Sequence, residues 1–316
     1  MRKAAGFAIL VAVLALVACK ASAPAVEPKP LRLALLPMDG RSVTREMPVD
    51  IGATAGVEVV VPPVEILGYR RVAADLDAVR EWLYAAVEGA DALVVSLDML
   101  GYGGLSPSRL SGLTYEDVVE NLSAIVAVRN SYPRLPIYAL LTNMRIPSHN
   151  TDAEEPDYWG TYGLDLWQYS YYTHQYAVTG YELAGLLAGE ARSAVPDEYV
   201  QDFHARRERN FAVNMYALDL LEQGVLDFLV FPQYDTSLYG FNIAEQQVLS
   251  REIDARGLGD RTLMYPGADE VGSVLLARAL NRLHGTAPGF FVLYGTVNGA
   301  QIVARYEDRQ IGRAHV

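Results

Sequence analysis

Seven short segments of the chain are almost continuously apolar: Leu31–Met38, Val57–Val61, Ala92–Leu97, Ile137–Leu141, Phe228–Phe231, Thr262–Tyr265 and Phe290–Tyr294. Strict alternation would mark strands with one wet face. Unbroken runs mark strands buried on both faces, as in parallel sheets. Helical spacing fills the gaps. Leu76, Val79, Leu83 and Val87 share one face of Ala74–Val87, and Thr114 is placed to cap a helix over Tyr115–Arg129 with Asp117 in its first turn. Further helices are predicted over Glu245–Arg256 and Asp269–Leu283. This alternation predicts an α/β fold, with a mostly parallel central sheet flanked by helices. An open doubly wound sheet and an incomplete β/α barrel both satisfy the pattern. Residues 164–223 break the rhythm and read as a helical insertion of two long helices interrupted near Val195-Pro196. The first is crowded with aromatics, among them Trp167, Tyr169, Tyr171 and Tyr172.

The two ends of the chain read differently from its body. Arg2 and Lys3 precede an apolar run from Phe7 to Ala18, and Leu16-Val17-Ala18-Cys19 has the form of a lipoprotein processing site. The run is short for a permanent membrane span. Residues 1–19 are therefore expected to be a signal peptide ending at a lipidated Cys19, and residues 20–30 a flexible tether. That places the body (31–310) in the cell envelope, lipid-anchored and outside the cytoplasm. The last six residues, Ile311–Val316, match one reading frame of a common sequencing adapter, so 311–316 are expected to be an artefact on a truncated gene product.

Composition narrows the chemistry. The formal charge is −12, and loss of a leader carrying Arg2 and Lys3 makes the remainder two units more negative. Such a surface repels phosphate backbones, which argues against a nucleic-acid partner. Cys19 is the only cysteine. The body therefore has no disulfide, thiol nucleophile or cysteine-based zinc site. No nucleotide-binding glycine spacing or serine-hydrolase motif is present, so no cofactor is evident. A divalent cation held by aspartates is compatible with the residue types, although no spacing matches a standard metal loop.

Ligands of parallel α/β folds bind beyond the carboxyl ends of the strands. Five such ends are polar here. The first runs into Asp39 and Arg41, the third into Asp98, Tyr102 and Arg109, and the fourth into Asn143 and Arg145, with Glu154 and Glu155 further on. The fifth runs into Gln233, Asp235, Asn242, Glu245 and Gln246, and the sixth into Asp269 and Glu270. Paired carboxylates can act as general acid and base, which makes Asp98, Asp235, Asp269 and Glu270 the candidate catalytic groups. The arginines, the amides, Tyr102, Asp39 and Glu245 are candidate substrate contacts. Helix capping by Asp269 is the simpler alternative for that residue.

At these residues the chain resembles the bacterial domain-of-unknown-function 4127 family. The resemblance is carried by LLPMDGRSVTREMP (35–48), VEVVVPPVEILG (57–68), DALVVSLDMLGYGGLSPSR (91–109), NMRIP with EEPDYW (143–159), QYDTSLYGFNIAEQ (233–246) and YPGADEVGSVLLAR (265–278). It implies an α/β protein longer than this chain. It also implies a second acidic residue where this chain has Tyr234, which weakens a two-aspartate metal role there. The family supplies no reaction. Two functions are carried forward as expectations. One is a cell-envelope hydrolase acting on a carbohydrate or another polar small molecule. The other is a lipid-anchored binding protein for such a ligand.

Overall fold

The computed structural model describes residues 30–303 and 310, so the predicted signal peptide, Cys19 and the adapter-like tail lie outside the described residues. Six strands form one all-parallel sheet: β1 (Arg32–Leu36), β2 (Glu58–Val60), β3 (Ala92–Ser96), β4 (Ile137–Leu140), β5 (Phe228–Gln233) and β6 (Thr262–Pro266). Their order is β2-β1-β3-β4-β5-β6. The sheet is open, with β2 and β6 at its edges, so the barrel alternative is excluded.

Both faces are covered, which is why the strands read as unbroken apolar runs. Leu33 and Leu35 of β1 join Val94, Tyr138, Leu140, Phe228 and Val230 in one core. Ala34 and Leu36 join Leu93, Val95, Ile137, Leu229 and Phe231 in the other. Each fully buried leucine contributes roughly 1.5–3 kcal/mol.

Among the described residues, ten helices surround the sheet. Helix α1 (Ser42–Thr54) follows β1, α2 (Leu76–Val87) precedes β3, and α3 (Leu97–Tyr102), α4 (Leu105–Leu110) and α5 (Tyr115–Ser131) join β3 to β4. The cap at Thr114 is a full capping box, reciprocated by Asp117. Three helices, α6 (Trp159–Thr179), α7 (Glu182–Ala194) and α8 (Asp197–Glu222), lie between β4 and β5. Two were predicted there. The extra break falls at Gly180, which ends α6 in the left-handed conformation at φ +67°. Helix α9 (Phe241–Ala255) precedes β6 and α10 (Val271–His284) follows it.

The predicted seventh strand is not formed. Phe290–Tyr294 has no regular structure, and Phe290 and Phe291 are 89 % and 88 % exposed. An apolar run becomes a strand only where a neighbouring edge takes up its backbone hydrogen bonds, and 290–294 pair with no strand among the described residues. Among the described residues, no helix is long and apolar enough to cross a membrane.

The strand order reverses direction after β1, so α1 and α2 leave on opposite faces. This creates a switch point at the carboxyl ends of β1 and β3. Helix α10 crosses back from β6 and packs on α1, β3 and β4. That return brings the residues before α10 to the switch point.

Candidate functional site

The loop after β1 is built around Asp39. Its carboxylate accepts from the backbone N–H of Arg41 at 3.0 Å, from Arg41 Nε at 2.8 Å and from the Thr44 hydroxyl at 2.6 Å, which fixes the start of α1. Arg41 then reaches across to the residue ahead of α10, donating to both carboxylate oxygens of Asp269 at 2.6 and 3.0 Å. Burial opposes the charge on Arg41. The hydrogen bonds and charges of Asp269 and Asp39 outweigh it and push the guanidinium pKa up. Asp269 therefore does not cap α10. Glu270 occupies the cap position without a side-chain cap, and its exposed carboxylate instead accepts from the N–H of Ala268 at 3.1 Å.

A second group of charges adjoins the first. Arg109 of α4 and Arg145 after β4 share Glu154 and Glu155. Arg109 lies 3.2 Å from Glu154 and 3.1 Å from Glu155, and Arg145 lies 3.0 Å and 2.9 Å from the same two. Burial pulls the Arg109 pKa below its ordinary value, although Glu155 and Glu154 oppose that shift. On the more open Arg145 the same glutamates outweigh burial and the pKa rises. Tyr234 lies under the Arg145 guanidinium, 5.2 Å from ring centroid to carbon. Its hydroxyl is raised, chiefly by burial and then by the charge of Asp269, with Arg41 and Arg145 opposing. Tyr234 thus sits between the two groups of charges.

Beneath them lies Asp98, in the first turn of α3 and buried. It accepts from the backbone N–H of Thr142 at 2.9 Å and from its hydroxyl at 2.7 Å. Burial pushes its carboxyl up to about 6, although both Thr142 bonds and Arg109 pull it down. Tyr102, one turn on, is buried below Arg209, and burial raises its hydroxyl too.

The high affinity of folded Asp98 for its proton has a thermodynamic consequence. Between about pH 4 and pH 6 the folded protein binds more protons than the unfolded chain. Stability attributable to Asp98 is full below about pH 4, falls by on the order of 3 kcal/mol across that window, and is level above it. Asn at this position can accept from the Thr142 N–H through its oxygen and donate through its NH2 to the Thr142 hydroxyl, without the charge. Asp98→Asn is therefore expected to match the parent protein near pH 4 and to exceed it in urea midpoint near pH 7.5. A difference independent of pH would show that Asp98 titrates normally.

The cleft itself opens at the switch point, with a volume of about 430 Å3. Asp39 and Arg41 form one wall and Glu154 another. The rest of the lining comes mainly from the loops 67–72 and 103–107. These loops meet chain to chain: Ala74 N–H donates to Gly103 O at 2.9 Å and Leu105 N–H to Met38 O at 3.1 Å. Two positions require glycine. Gly68 has φ +67°, and a Cβ there would collide with the Val72 carbonyl. Gly103 has φ +81°, and its Cβ would lie 2.9 Å from Ala74 N. The turn after Gly68 carries Tyr69, 69 % exposed at the rim, and Arg70, whose φ of +50° is unusual for a residue with a side chain. Arg71 ties this rim to the far loop through the Asp152 carbonyl at 2.9 Å and an ion pair with Asp157.

The remaining sequence candidates lie elsewhere. Asn143, Asn242 and Glu245 lie in the interior, where the helices between β4 and β5 meet the sheet, and Gln233 and Gln246 line a separate depression of about 610 Å3. Asn143 donates to the Asn242 carbonyl at 3.0 Å and Gln233 to Gln246 at 3.3 Å, and Glu245 pairs with buried Arg207. Burial raises the Glu245 carboxyl, with Arg207 opposing. Asp235 turns its own loop, accepting from Ser237 N–H at 3.0 Å, and lines a neighbouring depression. The sequence thus points to Asp39, Arg41 and Asp269, which do meet. It misses the Tyr69-Arg70 rim, whose only signal is the Gly-Tyr-Arg turn. It also leaves Glu154 and Glu155 without their arginine partners. Among the described residues, no three His, Cys, Asp or Glu side chains gather as a metal-binding group. The cleft carboxylates gather around arginines instead.

The family model for proteins of unknown function DUF4127 matches residues 33–315, nearly the whole chain. The chain belongs to the DUF4127 family. No curated protein matches it, and no solved structure matches it. For this DUF4127 protein, then, the cleft chemistry is the available guide to function.

Proposed function

We propose that the chain is a lipid-anchored protein of the bacterial cell envelope whose switch-point cleft binds a small polyhydroxylated ligand of the carbohydrate kind. The balance of charge in the cleft carries this reading. Asp39 and Glu154 are matched by Arg41 and Arg70, so the lining offers both donors and acceptors to hydroxyls without a net field that selects an ion. Exposed Tyr69 adds an aromatic ring at the rim for the apolar face of a sugar. A volume of about 430 Å3 suits a small ligand. The anchor rests on the sequence alone, from basic Arg2 and Lys3 through the apolar run to Cys19. Expressed in a bacterium with an alkyne-tagged fatty acid, the protein is expected to take up label, and Cys19→Ala to lose it.

A second reading is hydrolysis. Asp39 and Glu154 line one cleft from different walls, and two carboxylates across a glycosidic bond are the usual acid and base of its cleavage. Thermal-shift screening against neutral and anionic glycans separates the readings. Binding raises the midpoint in proportion to the logarithm of ligand over Kd. Neutral glycans are expected to raise it without turnover. Turnover abolished by both Asp39→Asn and Glu154→Gln would establish the hydrolase. Stabilisation by inorganic phosphate alone would sink both.

A further inference from the structure

Next to the cleft, across the Arg145–Glu154 ion pair, lies a second depression of about 450 Å3. Arg145, Tyr234, Asp235, His149 and Trp167 are among the residues that line it. Trp167 comes from α6, the first helix between β4 and β5, and is held by Tyr171 at 5.1 Å between ring centroids. The two hollows share a wall. Glu154 lines the first and Arg145 the second, and the two are bonded at 3.0 Å. Tyr234 lines the second hollow with Arg145, whose guanidinium lies over its ring at 5.2 Å.

The resulting surface has a repeated character. At each end an aromatic ring, Tyr69 or Trp167, lies beside a balanced set of charged groups. The first hollow has Asp39, Arg41, Arg70 and Glu154, and the second has Arg145 and Asp235. Between them lies the Arg145–Glu154 ion pair, whose charges already answer one another. A ligand confined to one hollow would leave the second aromatic ring and its polar neighbours without a role.

Resting on the carbohydrate reading above, we propose that the ligand is a linear oligosaccharide spanning both hollows, with Trp167 as the aromatic platform of the distal subsite. On this reading the helices between β4 and β5 serve the ligand as well as the core, because α6 carries that platform to the carboxyl edge of the sheet.

Tryptophan emission reports on this subsite directly. Of the three tryptophans, Trp159 is buried, Trp82 and Trp167 each pack partly against a core cluster, and Trp167 also lines the hollow. Titration with β-1,4-linked glucose and N-acetylglucosamine series, from monosaccharide to hexasaccharide, is expected to show affinity rising with length. Emission should change only for the longer members. Trp167→Phe should abolish the emission change. Trp167→Ala should lower hexasaccharide affinity about tenfold, to near that of the short members, which it leaves unaltered. His149→Ala, at an exposed position in the same hollow, should weaken only the longer members and guards against a folding defect in the tryptophan variants. Equal affinity for all lengths with unchanged emission would overturn the second subsite and leave the single-cleft reading standing. Failure of every member to bind would overturn both.

Discussion

Glu155→Ala is expected to destabilise the protein by about 3 kcal/mol, the cost of leaving a buried charge without its partner. The Glu155 side chain is 1 % exposed and that of Arg109 only 3 %. Arg109 cannot shed its charge at accessible pH, so loss of Glu155 leaves a guanidinium in the interior whose remaining ion pair is with the more exposed Glu154. Arg145 is more open and can turn toward water. Urea unfolding reads the effect as a midpoint lower by about 1 M at unchanged slope. Glu154→Ala is the control: its side chain is 40 % exposed, so its pairs are screened and its removal is expected to cost at most about 1 kcal/mol. Replacing both members of the deep pair, Arg109→Met with Glu155→Leu, should recover much of the loss, because an apolar pair needs no desolvation. If Glu155→Ala unfolds at the parent midpoint, the lattice does not hold these loops together.

The same lattice shows what a sequence displays and what it conceals. Leu33 to Leu36 are legible as a strand because each residue faces one of two cores, and no polar position interrupts the run. Helix α1 is illegible for the opposite reason. It buries Thr44, Pro48 and Gly52 rather than large apolar residues, since a Cβ on Gly52 would run into the Val59 side chain. Phe290–Tyr294 imitates a strand because hydrophobicity records a preference for burial, not the presence of a partner edge. Asp39 and Arg41 are legible as site residues because a strand end delivers them to the crevice. Their link to Asp269 depends on α10 crossing back over the sheet, which no local pattern encodes. Asn143 and Asn242 are the hardest case. Their amides are the groups that would bind a hydroxylated ligand, yet both are buried and Asn143 is spent on the Asn242 backbone. Residue type cannot separate a polar group that serves the core from one that serves a ligand. Exposure separates them.

Arg41→Met is expected to have the reverse profile of Glu155→Ala: a small change in stability and a large loss of binding. The Arg41 side chain is 43 % exposed, and its partners Asp39 and Asp269 are 23 % and 38 % exposed. Solvent screens these pairs, so the stability lost should stay within about 1 kcal/mol. Binding has no such protection. Arg41 holds the β1 loop against the residue before α10, at the wall of the cleft, and donates to both. Without it, Asp39 and Asp269 face each other with no cation between them. A wall that offered donors and acceptors together then offers only acceptors. One remaining N–H bonded to a ligand hydroxyl at about 1.4 kcal/mol corresponds to a tenfold loss of affinity. Arg41→Lys restores the charge but not the fork that spans two carboxylates, and is expected to recover binding only in part. Isothermal titration with the best glycan from screening, paired with urea unfolding of the same variants, decides the matter. Unchanged affinity in Arg41→Met would move the ligand away from the β1–β3 crevice. A collapse of stability alongside affinity would make Arg41 a structural clamp instead of a binding residue.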